Sequence, residues 1–412
     1  MTAQSERLVV LLHGERVAVM ERLPGGGSAL AFEDSYLAGV PRPTLGQWFL
    51  DQDLESRLRH PRLFPFFQNL LPEGWLREVI VRHLGPDADD FAVLRQVGLD
   101  LPGSVSILAS DDVMLPKRRG ETTFSESESR ANVAVGGIRW SLAGMQPKLS
   151  VSRGERVTVH AEGRGGDWIM KLPTPAYPHL PELECAVMAW ARASGILVPE
   201  TDTIELEEID ALPEDLRTRI LEGGTKAFLC ARYDRGAGGE SVHQEDFAQV
   251  RNVPSVPSER KYDRAHGYAA LARDLDAIAP EDVEAFISRI VFDVLAGNGD
   301  AHLKNWSILY ADRINARLSP SYDLVSTIVY PSFAADLALP LEGERDMHAI
   351  THSLFRAFAK KIRRDPDQVE QLVRGTAIRV RRAFDERAGD WSLLPKQRAK
   401  IEDHLRSMHL GA

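Results

Sequence analysis

The feature that most constrains this 412-residue chain is an apolar helical pattern that stops abruptly before a polar loop. Apolar residues recur at helical spacing at Val283, Phe286, Ile287, Ile290, Val291 and Val294. This spacing predicts a helix with one buried face. The pattern breaks at Gly297-Asn298-Gly299, so a loop is predicted to begin at Asp300. Loops at the ends of rigid elements are common positions for catalytic groups.

Asp300, Asn305 and Asp323 follow in the order that phosphoryl transfer uses in protein kinases. There, one carboxylate orients the attacking hydroxyl, and an Asn and a second Asp hold the Mg²⁺ ions that bridge the phosphates. Hard oxygen ligands of this kind suit Mg²⁺. The pattern Asp-x-x-x-x-Asn is short, however. On these three residues alone, ordinary loop formers and a turn cap are an equally good interpretation.

The composition narrows the class of protein. The N-terminus has no apolar segment of secretory type, and no run approaches the ~18 apolar residues of a membrane span. We therefore expect a cytoplasmic protein without membrane contact. A net charge of −10 argues against a chain that coats nucleic acid by bulk electrostatics. The two cysteines are too few for a disulfide framework or a zinc site.

Shifts in composition divide the chain into four predicted parts. Residues 1–108 combine an opening hairpin with helices in a small α+β unit, and residues 109–137 form a polar linker with few apolar positions. Residues 138–260 are rich in strand patterns, and residues 261–412 are mostly helical. The prediction is an α+β protein with two lobes and a ligand in the cleft between them.

A lysine within an apolar strand is predicted to face an anion. Lys171 ends the segment Trp168-Ile-Met-Lys171, an unusual place for an ammonium group unless a phosphate or carboxylate lies opposite. The alternative is an edge-strand lysine that reaches out to water. Glu184, in the predicted helix that follows, is the candidate partner, although an acid in the first turn of a helix is also favoured by the helix dipole.

The segment Ser141-Leu-Ala-Gly-Met-Gln-Pro-Lys148 precedes a strand, and its glycine would let the backbone approach phosphates. It matches neither a Walker A loop nor GxGxxG, so alone it is a weak signal. His302 and Lys304 either face an anionic ligand or pair with acidic neighbours. Tyr322 is suited to pack against a nucleotide or within a core.

Six motifs occur in order along the chain. They are Ser141-x-Ala-Gly-x-Gln-x-Lys148, Ile169-Met-Lys171-Leu-Pro, Arg232-Tyr-Asp-Arg235, His243-Gln-Glu-Asp246, Asn298-Gly-Asp300-x-His302-x-Lys304-Asn305 and Pro320-x-Tyr322-Asp323. Together with the opening hairpin and the segment Phe66–Glu73, this set resembles the HipA family of bacterial serine/threonine-kinase toxins. The resemblance covers nearly the whole chain, and as a set the motifs are specific.

The resemblance implies a HipA-like bilobal kinase fold related to lipid kinases, with a small N-terminal α+β subdomain, a β-rich N-lobe and a mostly α-helical C-lobe. It implies Mg-ATP as the phosphoryl donor. Asp300 would be the catalytic base, and Asn305 and Asp323 would bind magnesium. The predicted nucleotide contacts are Ala143, Gly144, Met145, Gln146, Pro147 and Lys148 in a phosphate loop, Lys171, the hinge residues Ala231, Arg232 and Tyr233, and His302, Lys304 and Tyr322. Ser141 would be the autophosphorylated residue.

Two positions depart from the family pattern as we expect it. Pro147 stands where the best-known member has an acidic residue, and Ala231 replaces a hinge glutamate. The alanine leaves a backbone contact to adenine available but removes any side-chain contribution at that position.

The family also implies partners. Its substrates are aminoacyl-tRNA synthetases, and its usual partner is a DNA-binding HipB antitoxin, so DNA would be contacted only through the antitoxin complex. The expected function is a toxin kinase that phosphorylates a translation-related protein and silences itself at Ser141. The alternatives are a small-molecule phosphotransferase and a non-catalytic member of a repressor complex. The non-catalytic alternative is disfavoured, because a binding module has no physical need for Lys171, Asp300, Asn305 and Asp323 together.

Overall fold

The structure is a computed structural model. It describes residues 6–85, 87–99, 101–109, 134–135, 138–139, 148–154, 157–159, 166–209, 220–236, 239–255, 261–262 and 267–410. Most of the predicted phosphate loop, from Ser141 to Pro147, lies outside the described residues. Within the described residues, the helices fall short of the length and apolar character that a bilayer-spanning helix needs.

The first unit is an antiparallel sheet with short helices. Its strands are β1 (Arg7–Leu12), β2 (Glu15–Arg22), β3 (Ser28–Phe32), β4 (Leu58–His60) and β5 (Val105–Ala109), in the order β4-β3-β2-β1-β5. Its helices are α1 (Asp34–Leu37), α2 (Gln47–Leu50), α3 (Pro65–Gln68), α4 (Gly74–Leu84) and α5 (Asp90–Val97). The predicted opening hairpin is confirmed: β1 pairs with β2 through a turn in which His13 and Gly14 have positive φ. Helices α3 and α4 are separated by residues 69–73.

The N-lobe is built on a second antiparallel sheet. The strands of this region are β6 (Ala134–Val135), β7 (Ile138–Arg139), β8 (Lys148–Arg153), β9 (Val157–Val159), β10 (Trp168–Lys171), β11 (Thr201–Glu205) and β12 (Lys226–Ala231). The main sheet has the order β11-β12-β10-β8-β9, which makes β10 a central strand, and β6 pairs with β7 separately. Helix α6 (Leu180–Ala193) ends just before Gly195, whose φ of +85° supplies a left-handed cap.

The second lobe is mainly helical. Its helices are α7 (Phe247–Val250), α8 (Tyr268–Ile278), α9 (Val283–Ala296), α10 (His352–Lys361), α11 (Pro366–Arg387) and α12 (Pro395–Ser407), and its strands are β13 (His243–Asp246), β14 (Ser307–Tyr310), β15 (Arg317–Leu318), β16 (Asp336–Leu341) and β17 (Glu344–Asp346). The predicted apolar helix is α9, and it ends at Gly297 with φ +67°. Strand β13 pairs with β14, so the range predicted for the N-lobe, 138–260, contains a strand that belongs to a sheet of the second lobe.

Two hydrophobic cores hold these parts in fixed relation. One core joins the first unit to the N-lobe sheet and includes Phe66, Met170 and Leu229. The other fills the second lobe and takes in the apolar face of α6 through Trp190. Apolar burial contributes about 25 cal/mol per Å², so both cores stabilise the packing of the parts that they join. The helix that carries Glu184 is therefore packed on the second lobe rather than on the N-lobe sheet alone.

The first unit also docks on the second lobe through buried polar contacts. The backbone N–H of Gln47 donates to the carboxylate of Glu245 at 2.8 Å. The side-chain amide of Asn69 donates to the carbonyl oxygen of Val253 at 2.8 Å, and that of Gln249 donates to the carbonyl of Phe66. These contacts place the turn after α3, which contains Glu73, close to the loop that follows α9.

Candidate active site

The ammonium group of Lys171 lies at the junction of the two lobes. It contacts the carboxylate of Glu184 in α6 and that of Asp323 in the second lobe. Lys171 is 6% exposed and Glu184 is 1% exposed, so each buried charge needs the other. Burial lowers the pKa of Lys171, and the Glu184 carboxylate opposes this effect by favouring the cation. The alternative of a lysine that reaches out to water is excluded, because β10 is central and the ammonium points inward.

Asp323 adopts a backbone conformation that residues other than glycine seldom use. Its φ is +54°, in the left-handed region that Asp tolerates better than most residues. Such a conformation costs on the order of 1–3 kcal/mol and persists only where the surrounding structure imposes it. The Asp323 carboxylate forms ion pairs with Lys171 and with Lys148, whose Nζ lies 3.2 Å from Oδ2. Two lysines of the N-lobe therefore converge on one carboxylate of the second lobe.

The loop after α9 is held by side-chain bonds to its backbone. The Asn305 amide donates to the Asp300 carbonyl oxygen at 2.8 Å, and the Asp300 N–H donates to Asn298 Oδ1 at 3.2 Å. From α9, the buried guanidinium of Arg289 donates to the Asn305 carbonyl and stacks 4.1 Å from the Trp306 ring. Sequence reasoning missed Arg289, although a lone arginine in an apolar helix was a signal for it.

The carboxylate of Asp300 has two ring neighbours. The hydroxyl of Tyr262 donates to Oδ1 at 2.6 Å, and Nε2 of His302 lies 3.9 Å from the same oxygen. Burial lowers the pKa of His302 to about 4, against the opposing effect of Asp300, so the imidazole is neutral at pH 7. A contact of His302 with the nucleotide stays a prediction. Its ring packs edge-to-face on Tyr262, with centroids 5.1 Å apart.

Glu73 of the first unit reaches the loop after α9. Its carboxylate accepts from Lys304 Nζ at 2.5 Å and from Lys261 Nζ at 3.1 Å. Burial alone would raise the pKa of Glu73, but the two ammonium groups outweigh it and hold this pKa well below its usual range. Lys304 thus pairs with an acidic neighbour, which was one of its two predicted roles. Glu73 itself was not predicted to act here, although it ends a motif that resembles the family.

Two backbone N–H groups of the predicted hinge are hydrogen-bonded within the chain. The N–H groups of Ala231 and Arg232 donate to the carbonyl oxygens of Glu200 and Asp167, both at 2.8 Å. The guanidinium of Arg232 forms a buried ion pair with Asp234 at 2.8 Å. The side chain of Arg232 is therefore engaged within the chain, and the assignment of Ala231, Arg232 and Tyr233 to the hinge stays a prediction.

Tyr322 lies beneath the loop after α9. Its hydroxyl donates to the carbonyl oxygen of Lys304 at 2.9 Å and hydrogen-bonds with Ser307. Its ring lies 5.6 Å from that of Tyr233, with an interplanar angle of 36°. The ring of Tyr322, the residue before Asp323, therefore lies next to the predicted hinge. Its hydroxyl meanwhile hydrogen-bonds to the loop after α9.

The oxygen donors at the cleft fit a magnesium ion that is shared with phosphates. In the part of the chain that the structure describes, no group of three or more His, Cys, Asp or Glu side chains is arranged to hold a metal. Mg²⁺ commonly takes only one or two protein ligands and completes its shell with phosphate oxygens and water. The Asp323 carboxylate and the Asn305 amide oxygen are a donor set of that kind. The Asn305 amide is already oriented by the bond that its nitrogen donates to Asp300.

These features define a class of protein. A buried lysine–glutamate pair, a loop with a carboxylate and an amide, and a second carboxylate at the cleft are the parts of a bilobal kinase. The HipA N-terminal domain matches residues 8–108, and the HipA-like C-terminal domain matches residues 140–384. The chain belongs to the HipA family of serine/threonine kinases.

Individual relatives agree with this assignment. The protein Y4dM of Sinorhizobium fredii is 35% identical over 413 residues, which cover 98% of this chain and 97% of Y4dM. The serine/threonine-protein kinase toxin HipA of Shewanella oneidensis is 27% identical over 71% of this chain and 70% of that protein. A solved structure of Shewanella oneidensis HipA with HipB and operator DNA has a TM-score of 0.71 at 20% identity, and covers 98% of this chain and 96% of that one. The predicted HipA-like fold is thereby confirmed.

Proposed function

We propose that this protein transfers the γ-phosphoryl group of ATP to a serine or threonine hydroxyl of another protein. The observation that supports this most directly is the contact of Lys171 with both Glu184 and Asp323. In protein kinases, activity requires both the lysine–glutamate pair and the metal-binding aspartate in place. All three side chains meet here, across the boundary between the lobes.

The proposed roles follow from position. Asp300 would accept the proton of the acceptor hydroxyl, and the loop bonds from Asn298 and Asn305 keep its backbone in place. Asn305 and Asp323 would hold Mg²⁺, which neutralises charge on the phosphates when bound. Lys171 and Lys148 would turn from Asp323 towards the phosphates. A lysine is a compact charge on a flexible stem, which suits such an exchange of partners.

The finer proposal concerns the acceptor and the partner. We propose that the acceptor is a translation-related protein such as an aminoacyl-tRNA synthetase, that the kinase acts as a toxin, and that a HipB-like antitoxin binds it and provides its only link to DNA. The support is family membership and the solved relative, which is in complex with HipB and operator DNA. Co-purification with an antitoxin of that type is expected, and failure of the two to associate would contradict the partner.

The test of the function is mass spectrometry of a cell lysate incubated with the pure protein and Mg-ATP. Phosphorylated serine or threonine should be enriched in a small set of proteins with the wild type, and not with Asp300→Asn. Label from ATP that reaches metabolites and no protein would instead indicate a small-molecule phosphotransferase.

Asp323→Asn should raise the Mg²⁺ concentration needed for half-maximal activity by at least about tenfold, since even changes outside the ligand shell commonly cost that much metal affinity. The substitution removes a charge with little change in volume. The measurement is phosphoryl transfer across a Mg²⁺ titration. Asp390→Asn, at an exposed position of the same lobe, is the matched control. An unchanged Mg²⁺ requirement would remove Asp323 from the metal site.

Glu73→Gln should lower the free energy of unfolding by about 1–3 kcal/mol, because two ammonium groups lose their shared carboxylate. The pKa of Glu73 is depressed in the folded state, so its contribution is present above the unfolded value of about 4.3 and is lost as pH falls further. The difference from wild type should therefore shrink in acid. Urea denaturation at several pH values measures this, with the exposed Glu78→Gln in the adjoining helix α4 as control.

We further propose that phosphorylation of Ser141 silences the kinase. A phosphate there would add about −1.5 to −2 charges at the start of the proposed phosphate loop and would compete with ATP for the same backbone donors. Pure protein incubated with Mg-ATP should acquire phosphate at Ser141 and lose ATP affinity. Undiminished ATP affinity in a fully Ser141-phosphorylated sample would contradict the switch.

A further inference from the structure

The acceptor position of the proposed kinase site is already taken by a hydroxyl of the same chain. The Oη atom of Tyr262 lies 2.6 Å from Asp300 Oδ1 and donates a hydrogen bond to it. This is the relation in which a catalytic aspartate holds the hydroxyl that attacks the γ-phosphate. Burial and the Asp300 carboxylate both raise the pKa of Tyr262, so the phenol keeps its proton and acts as donor at neutral pH.

Three contacts keep Tyr262 in this place. Its neighbour Lys261 forms an ion pair with Glu73 of the first unit. The Lys261 ammonium also lies 5.4 Å from the centroid of the Tyr262 ring, and the His302 ring packs edge-to-face with the Tyr262 ring. The phenol is therefore positioned by contacts from the first unit and from the loop after α9, and the bond to Asp300 is part of a packed arrangement.

We propose that Tyr262 is an intramolecular acceptor of the phosphoryl group, a modification site that rests on the proposed kinase function. The Tyr262 Oη attacks the γ-phosphorus of ATP, and a new Oη–P bond forms. The bond from that phosphorus to the β-phosphate oxygen breaks, and ADP leaves with the electron pair. The phenol proton passes to the Asp300 carboxylate and then to water.

A serine/threonine kinase selects its acceptor residue when a free substrate binds. That selection does not apply to an acceptor that its own chain already holds in the site. Proximity and orientation give such a group a very high effective concentration, on the order of 10⁵–10⁸ M in well-oriented intramolecular reactions. The product phosphate would carry two negative charges beside Asp300, while Lys261 already lies near the ring. Phosphotyrosine 262 is therefore expected to leave the carboxylate and to pair with lysines now bound by Glu73.

The experiment uses the purified full-length protein with Mg-ATP and maps phosphorylated residues by mass spectrometry over time. Phosphate is expected on Tyr262, with a first-order rate that does not change with protein concentration. Tyr262→Phe should lose this phosphate alone, and Asp300→Asn should lose all phosphate. Tyr330→Phe is the matched control: its half-buried hydroxyl donates to the Pro178 carbonyl, and this variant should retain the Tyr262 phosphate.

The other outcomes overturn the proposal. A wild-type protein that phosphorylates Ser141 or an added protein but leaves Tyr262 unmodified would refute it and leave the proposed function standing. A Tyr262 phosphorylation rate that rises in proportion to protein concentration would show transfer between molecules. A protein that transfers phosphate to no acceptor would refute the proposed function, and this inference with it.

Discussion

Asp300→Asn should reduce phosphoryl transfer by about 10²- to 10⁴-fold, the usual cost of losing a positioned general base. Asparagine has nearly the same volume, and its amide oxygen still accepts a hydrogen bond from Tyr262. Neither the bond from Asn305 to the Asp300 carbonyl nor that from the Asp300 N–H to Asn298 involves the carboxylate. The loss of activity should therefore come without loss of fold.

Two measurements separate these effects. Radiolabel transfer from ATP to the acceptor proteins measures the rate, and urea denaturation measures the free energy of unfolding. Asp403→Asn, which removes a carboxylate from an exposed position on α12, is the control and should leave both unchanged. Transfer by Asp300→Asn at the wild-type rate would show that Asp300 is not the base.

Lys171→Met should have two separable effects. It should lower the free energy of unfolding by about 3–5 kcal/mol, since the substitution leaves the Glu184 carboxylate buried without its partner. It should also weaken ATP binding by about 1–3 kcal/mol, the range of a charge-assisted hydrogen bond. Calorimetric titration with ATP and chemical denaturation measure the two effects independently.

A double substitution tells the structural and functional roles of this lysine apart. Lys171→Met with Glu184→Gln removes both members of the buried pair, so much of the lost stability should return. ATP affinity should not return, because the charge that contacts the phosphates is still missing. Lys226→Met is the control, since this lysine lies on the neighbouring strand β12 in a part-exposed pair with Glu205. ATP affinity that recovers together with stability would mean that Lys171 acts only through the fold.

Some features of the site could be predicted from local sequence. Residue spacing and turn chemistry predicted an apolar helix that ends at Gly297, and this helix is present. The position of Lys171 in an apolar strand predicted a buried charge with an acidic partner, and Glu184 is that partner. These predictions succeed because periodicity and glycine conformation act over a few residues, and a short stretch of chain is enough to determine them.

Other features depend on contacts between distant parts of the chain. No spacing in the sequence indicates that Glu73 reaches Lys304, or that Tyr262 reaches Asp300. Arg232 lies in a motif predicted to contact the nucleotide, yet its side chain turns to Asp234 because a buried guanidinium needs a carboxylate.

The sequence by itself determined the chemical types at the site and their order, from Lys171 through Asp300 and Asn305 to Asp323. Only the tertiary structure decided that Lys171 and Lys148 meet Asp323 and that Lys304 meets Glu73. The physical reason is that a buried charge takes its partner from whichever element packs against it, and that element is selected by the docking of whole units. Glu73 meets the loop after α9 because the first unit shares one core with the N-lobe and hydrogen-bonds to the second lobe.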